Sequence, residues 1–153
     1  MRRFLAAAVT IALASCGVGH QPESAKAVAA FEIPVPTQAD RAKLISIMSA
    51  VAESEGYHVD ASTDEELRAS YDIAPMTIHA GVWRGEDDDE SIATVLDLPR
   101  PGYAWLTFSK GENPVKSRRF ETRLMNAIRK EWEEVMELPI VDGGIPHPED
   151  MVT

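Results

Sequence analysis

The side chains best suited to nucleophilic or metal chemistry in this chain are one cysteine and four histidines. The histidines, His20, His58, His79 and His147, do not stand at the H-x-x-x-H spacing that brings two imidazoles to one helix face as zinc ligands. The chain also lacks the G-x-S-x-G and S-x-x-K sequences that position a serine nucleophile. The sequence therefore predicts a non-catalytic protein without a cofactor or a bound metal.

A run of five acids at residues 86–90 is the densest group of potential metal ligands. Calcium is bound by carboxylate oxygens, but an EF-hand loop alternates its ligands, has a central glycine and ends on a distant glutamate. The run has none of these features, so it is typical of a solvated hairpin tip. Weak binding of a cation or of a basic partner is the alternative, because either would relieve the repulsion between adjacent carboxylates.

The cysteine, Cys16, follows a segment with the composition of an export signal. Arg2 and Arg3 make a basic start, residues 4–13 form an apolar run broken only by Thr10, and small residues follow. The run is too short to span a bilayer, which takes about 20 apolar residues. We predict that residues 1–15 are a signal peptide. A buried core helix is the alternative.

The motif Leu13-Ala14-Ser15-Cys16 resembles the lipobox of bacterial lipoproteins. The resemblance implies cleavage before Cys16, a diacylglyceryl thioether on its sulfur and, in many bacteria, acylation of the new amine. Two or more acyl chains hold a protein stably on a bilayer. The residue after the cysteine is Gly17 and not aspartate, which by the same resemblance implies sorting to the outer membrane, facing the periplasm. With no second cysteine, an intrachain disulfide is impossible.

The chain is acidic overall, with 25 Asp and Glu residues against 15 Lys and Arg residues and a formal net charge of −10. Removal of residues 1–15 would take away two arginines and no acid, so the mature chain would be more negative still. This charge disfavours nucleic acid as a partner and disfavours docking on anionic lipid through a basic patch. It permits a cationic partner, or it serves solubility alone.

Composition divides the mature chain into three parts. Residues 16–36 are rich in Gly, Pro and Ala, which predicts a lipidated N-terminus and a flexible tether, with at most a short uncapped helix in "AKAVAAF". Residues 37–139 have the periodicity of a folded α+β domain. Residues 140–153 are again rich in Gly and Pro, which predicts a loose C-terminal tail.

Two amphipathic helices are predicted in the domain. The first begins at Thr37, which forms a capping box with Asp40, and ends at Gly56. The second begins at Asn113-Pro114 and runs to about Met136. Each carries one apolar stripe, which must be buried against another layer.

Three segments that alternate with period two, at residues 76–84, 91–98 and 103–109, predict consecutive antiparallel strands. A short strand at residues 57–59 and a short helix or turn at 62–71 precede them. The predicted fold is a two-layer α+β sandwich, an antiparallel sheet of three to four strands packed on one face by two helices. The predicted core-facing strand residues are Met76, Ile78, Ala80, Val82, Ile92, Thr94, Leu96, Leu98, Ala104, Leu106 and Phe108.

The opposite face of this sheet is predicted to carry aromatic side chains. Its candidate binding residues are His79, Trp83, Tyr103 and Trp105, and Thr77, Val95 and Thr107 share the face. Exposed Trp and Tyr offer large contact areas with a polar tip. Three segments could instead cover the face: the tether, residues 62–71 or the tail. An inverted assignment would place the two tryptophans in the core.

These predictions combine into an envelope lipoprotein that is held in the membrane by lipid on Cys16. Its domain would bind another envelope protein without catalysing a reaction. A small-ligand binding module that uses the aromatic face is the alternative. An enzyme whose residues are scattered in sequence, for example His79 with a distant carboxylate, is a third hypothesis.

Overall fold

A computed structural model describes residues 22–61, 79–84, 90–96, 101–142 and 144. These residues form one antiparallel sheet of six strands in the order β2-β3-β4-β5-β1-β6, with both helices on one face. The fold is α+β, as predicted, but the sheet has more strands than the three to four expected. The elements are β1 Ala27–Pro34, α1 Gln38–Ser54, β2 His58–Ala61, β3 His79–Arg84, β4 Glu90–Leu96, β5 Tyr103–Ser109, α2 Pro114–Ile128 and β6 Met136–Leu138.

Several predictions concern residues outside this described part. They are the signal peptide at residues 1–15, the lipid attachment residue Cys16, the helix or turn at 62–71, the strand start at 76–78, acidic residues 86–89 and the end of the tail.

Helix α1 begins as its sequence predicts. The Thr37 hydroxyl accepts a hydrogen bond from the Asp40 N–H at 3.1 Å, and the Asp40 carboxylate accepts one from the Thr37 N–H at 3.1 Å. This capping box satisfies amide donors that the first helical turn leaves unpaired. After the helix, Gly56 has φ +74°, a left-handed conformation that glycine adopts without a Cβ clash.

Helix α2 begins at Pro114, where the Asn113 side chain accepts a hydrogen bond from the Lys116 N–H at 3.1 Å. The helix ends at Ile128, eight residues before the predicted Met136. Trp132 lies four positions after Ile128 and is buried in the core, although the chain has already left the helix. An apolar stripe therefore continues past the helix end, and the stripe alone could not locate that end.

The interpretation of residues 16–36 as a tether is wrong for Ala27–Pro34, because these residues form β1. This strand pairs with β5 on one side and β6 on the other. Five consecutive residues of the strand are buried because it is covered on both faces, so its sequence shows no alternation. The described domain begins at Pro22 and is joined to the end of β5, where the Lys110 N–H donates to the Lys26 carbonyl at 2.9 Å.

The end of the predicted domain forms a further strand, and the start of the predicted loose tail at residues 140–153 is also ordered. Residues 136–138 add β6 to the sheet, and Val141 and Gly144 form an isolated antiparallel bridge with N–H to oxygen distances of 2.9 and 3.0 Å. Ile140 packs against the sheet between these two features. The tail therefore contributes to the fold at least as far as residue 144.

Strands β3 and β5 present the predicted faces to the helices, but β4 does not. In β4 Ile92 lies in the core as predicted, but so do Ala93 and Val95, which pair with core residues of β5, while Thr94 lies on the other face. The pairing of β3 with β4 has a register shift beside Trp83, and Ile92 is buried with Ala93 there. Such a bulge inserts a residue and reverses the alternation. Val95, predicted to share the aromatic face, is therefore a core residue.

The core between the sheet and the helices contains a chain of aromatic contacts. Phe108 packs edge-on against Phe31 and Phe120, with centroid distances of 6.0 and 6.1 Å, and Phe120 packs against Tyr57 at 5.2 Å. These edge-to-face geometries add to the burial of apolar area. They join β1, β5, α2 and the residue that precedes β2 in one cluster.

Candidate functional site

The sheet face opposite α1 and α2, called the second face below, carries the predicted aromatic residues. Strand pairing places one row of small or medium side chains across it, formed by Gly81, Thr94, Thr107, Ala30 and Leu138. Trp83 lies on one side of this row and Trp105 on the other, because each is two residues from the row along its own strand. The two tryptophans therefore belong to different parts of the second face.

Trp83 is half-buried, and its indole covers the backbone of Gly81. A Cβ added to Gly81 would lie 2.5 Å from the indole Nε1 and 2.9 Å from Cε2. Real Cβ contacts are not this short, so only glycine allows the indole to take this position. Trp83 also pairs with Ser91 of β4 and with the exposed His58 of β2, which is an end strand of the described sheet.

Trp105 is buried, with 6% of its surface exposed. Its indole N–H donates a hydrogen bond to Glu32 Oε2 at 2.9 Å, and Glu32 is itself buried. Ala30, Leu138 and Ile140 complete a small apolar cluster around the ring. The prediction that Trp105 belongs to a binding surface is therefore wrong: Leu138 of β6 and Ile140, the first residue of the predicted tail, pack in its cluster.

The other two candidate residues are less fully defined. Tyr103 is half-buried at the start of β5, where it pairs with Pro34. His79 begins β3, and its backbone pairs with Leu96, while its side chain lies outside the described part. Of the four candidates, only Trp83 and Tyr103 are shown with partly exposed side chains on the second face, at opposite ends of it.

A polar cleft of about 370 Å³ lies on the second face beside the Trp83 end. Hydroxyl side chains of Ser91, Thr94 and Ser109 line it from the sheet, and Ser24 lines it from the 3₁₀ turn at Glu23–Ala25. Sequence reasoning missed this cleft because it placed Ser24 in a tether and Thr94 in the core. The sequence feature that could have indicated a polar face is that Ser and Thr alternate with the apolar core residues along β5.

The last residue of the acidic run, Glu90, has a structural environment. It is buried, and its Oε2 accepts a hydrogen bond from Arg84 Nε at 2.7 Å while its Oε1 accepts one from the Glu112 N–H. Arg84 also contacts the Glu112 carboxylate at 2.6 Å. Both Glu90 oxygens are thus engaged in joining β3 and β4 to the loop before α2.

A third buried carboxylate, Glu55, lies in the helix layer, directly after α1. Glu55 accepts hydrogen bonds from Arg119 Nε at 2.9 Å and from Arg123. Burial by itself raises the pKa of Glu55, but the hydrogen bonds and charges of the two arginines outweigh it and hold the pKa below its usual value. Nearby, burial raises the pKa of the Tyr57 phenol. The arrangement joins the end of α1 to α2.

Within the described ranges, no group of three or more His, Cys, Asp or Glu residues is arranged to hold a metal ion. The same residues include no helix with the length and apolar character needed to cross a bilayer. No protein family model, no curated protein and no solved structure matches this chain.

Proposed function

We propose that this chain is a lipoprotein of the bacterial cell envelope, anchored by acyl chains on Cys16 in the outer membrane and facing the periplasm. The support is the motif Leu13-Ala14-Ser15-Cys16, together with the basic and apolar segment before it. The domain of this lipoprotein binds another envelope protein and catalyses no reaction.

One observation carries the binding part of the proposal. Trp83 is half-buried on a sheet face that neither helix covers, and it lies next to β2, an end strand of the described sheet. Tryptophan is enriched at protein interfaces because it combines a large apolar area with an N–H donor. The exposed His58 pairs with Trp83 and extends the same surface to the sheet edge. A partner that packs on this region would bury the remaining part of the indole.

The anchor is tested by Cys16→Ser. The wild-type chain is expected to incorporate labelled palmitate and to sediment with membranes, whereas the variant should do neither. Recovery of the wild-type chain from the cytosol, uncut and with a free thiol, would overturn the anchor.

The binding surface is tested by placing a photo-crosslinking amino acid at Trp83 and, as a matched control, at Glu133. Glu133 is exposed in the segment between α2 and β6 and does not belong to a strand of the sheet. A discrete adduct with an envelope protein is expected from position 83 alone. Equal adducts from both positions, or none from position 83, would argue against this surface.

A small-ligand function is the second candidate, and the cleft of about 370 Å³ favours it. Its volume falls within the range of small-molecule sites, and its hydroxyl lining suits a neutral, polyhydroxylated ligand such as a glycan fragment. Titration of glycan fragments against tryptophan emission would show saturation in the wild-type chain. Thr94→Val keeps the side-chain shape and removes one hydroxyl, so it should weaken the response; a flat titration in the wild type would eliminate this candidate.

A further inference from the structure

The charge of this acidic chain is unevenly distributed, because α2 and the turn after it are strongly basic. Residues 114–130 include only one acid, Glu121. Their basic residues are Lys116, Arg118, Arg119, Arg123, Arg129 and Lys130. The net charge of −10 therefore does not represent this surface, and it does not exclude a basic patch there.

Four of the six basic residues of this segment contact other side chains of the domain, and one of them, Arg129, lies over the Phe31 ring at 5.5 Å. Arg119 and Arg123 bind Glu55, and Lys116 lies over the Tyr57 ring at 4.2 Å. Arg118 is exposed and, together with the exposed Arg119 and Arg123, lines a groove of about 650 Å³.

This basic groove combines cationic and exposed apolar side chains. Lys110 and Arg118 line it together with Val28, Pro114 and Val115. Val115 is 82% exposed and Val28 is 46% exposed, although valine in a soluble domain is usually buried. Cationic side chains beside exposed valines match a bilayer interface, where anionic headgroups lie above the acyl region.

The groove lies beside the point where the described chain begins. The Gly111 N–H donates to the Ser24 carbonyl at 2.9 Å, and Lys110 Nζ contacts Glu23 at 2.7 Å. Only six positions separate Cys16 from Pro22, the first described residue. Six residues span at most about 20 Å when fully extended. An acylated Cys16 would therefore hold this end of the domain close to the membrane.

We infer that the basic groove lies against the anionic headgroups of the bilayer that holds the acyl chains of Cys16. This inference rests on the proposed lipid anchor. In this orientation the beginnings of β1 and α2 face the membrane. The beginning of α1 and the end of α2 face away from the membrane. The ion pair between Lys43 and Glu131 joins these two regions.

Acidic residues limit the strength of this contact. Glu121 lines the groove itself, and the lining residue Lys110 is paired with Glu23. The chain also carries acids at 86–89, which anionic lipid repels. The groove therefore orients a domain that the acyl chains already hold, and orientation is the quantity to measure.

A fluorescent probe at position 115 reports whether the domain has this orientation. In the acylated chain Val115→Cys supplies a free thiol for an environment-sensitive fluorophore such as NBD, and Ala39→Cys, exposed at the beginning of α1, is the control. The full mature lipoprotein is reconstituted in vesicles of phosphatidylcholine, with or without phosphatidylglycerol. We expect emission at position 115 to shift to shorter wavelength and rise severalfold only with phosphatidylglycerol, to revert in high salt, and to stay unchanged at position 39.

Charge reversal provides the matched comparison. Arg118→Glu should abolish the response at position 115, while Lys130→Glu, which changes the same charge at the other end of α2, should leave it in place. Palmitate labelling of the same samples separates the two proposals. Two outcomes in protein that is labelled with palmitate would overturn the docking inference alone. One is an NBD emission at position 115 that does not depend on the lipid, and the other is an equal effect of the two charge reversals. Absence of labelling overturns the anchor and the docking inference together.

Discussion

Trp83 and Trp105 lie on the same face of one sheet, yet one is half-buried and the other is buried. Trp83 is on β3, beside the end strand β2, and its indole covers a glycine. Trp105 is on β5, with β1 and β6 beyond it, where Glu32 accepts its N–H and Leu138 packs nearby. The position of a strand in the sheet, and not the alternation pattern, therefore decides which aromatic residues on this face can meet a partner.

Truncation of the buried tryptophan is expected to have the largest effect. Trp105→Ala should lower the free energy of unfolding by about 3–5 kcal/mol, because it leaves a cavity and deprives Glu32 of its donor. Urea unfolding followed by circular dichroism measures this change. Trp83→Ala should cost clearly less, since part of that ring is already in water. We call the Trp105 end of the second face the closed end and the Trp83 end the open end. Equal losses of stability in the two variants would refute this contrast between the two ends.

The hydrogen bond at the closed end contributes separately. Glu32→Leu leaves the buried indole N–H of Trp105 without its acceptor and should destabilise the fold by about 1–3 kcal/mol. Thermal unfolding of this variant is compared with that of Glu32→Gln, which retains an acceptor oxygen and should recover most of the loss. If both variants unfold at the same temperature, the hydrogen bond is not what closes this end.

Gly81→Ala tests the open end. The added methyl group would meet the Trp83 indole at 2.5 Å, so the ring must move, at a cost of about 1–3 kcal/mol. A red shift of tryptophan emission is expected because the displaced indole enters water. Gly144→Ala is the control, since a Cβ there meets only the Val141 carbonyl at an ordinary 3.7 Å. Unchanged emission from Gly81→Ala would contradict the stacked position of Trp83.

The smallest expected effect is a difference in solvent accessibility among the three tryptophans. Acrylamide should quench one tryptophan of the chain much more than the other two, because Trp105 and Trp132 are buried. Trp83→Phe is expected to remove the accessible component, and Trp105→Phe should leave it intact. Persistence of that component in Trp83→Phe would show that another ring is the exposed one.

Some elements were predictable because their signals are local. The capping box of Thr37 and Asp40 joins residues three positions apart, and the structure confirms it. The bounds of β5 are those predicted from its alternation, and its core residues are the expected ones. Each of these signals depends on side chains within one short segment.

Other elements could not be predicted because a distant segment decides them. β1 lacks alternation because it is buried on both faces between β5 and β6. The β4 faces depend on a bulge in its pairing with β3. For the same reason, the alternation along β4 predicted Thr94 as a core residue, and the cleft that this residue lines was not predicted.

Local sequence patterns are sufficient to locate the beginnings of the helices and the segments that alternate as strands, and the proposed lipid site at Cys16 depends on a short motif alone. The enclosure of Trp105, the accessibility of Trp83 and the position of basic residues of α2 beside the first described residues all depend on contacts made in the folded chain. The physical reason is separation along the chain. The acceptor that holds Trp105 is 73 positions away, and no pattern within one segment reports such a neighbour.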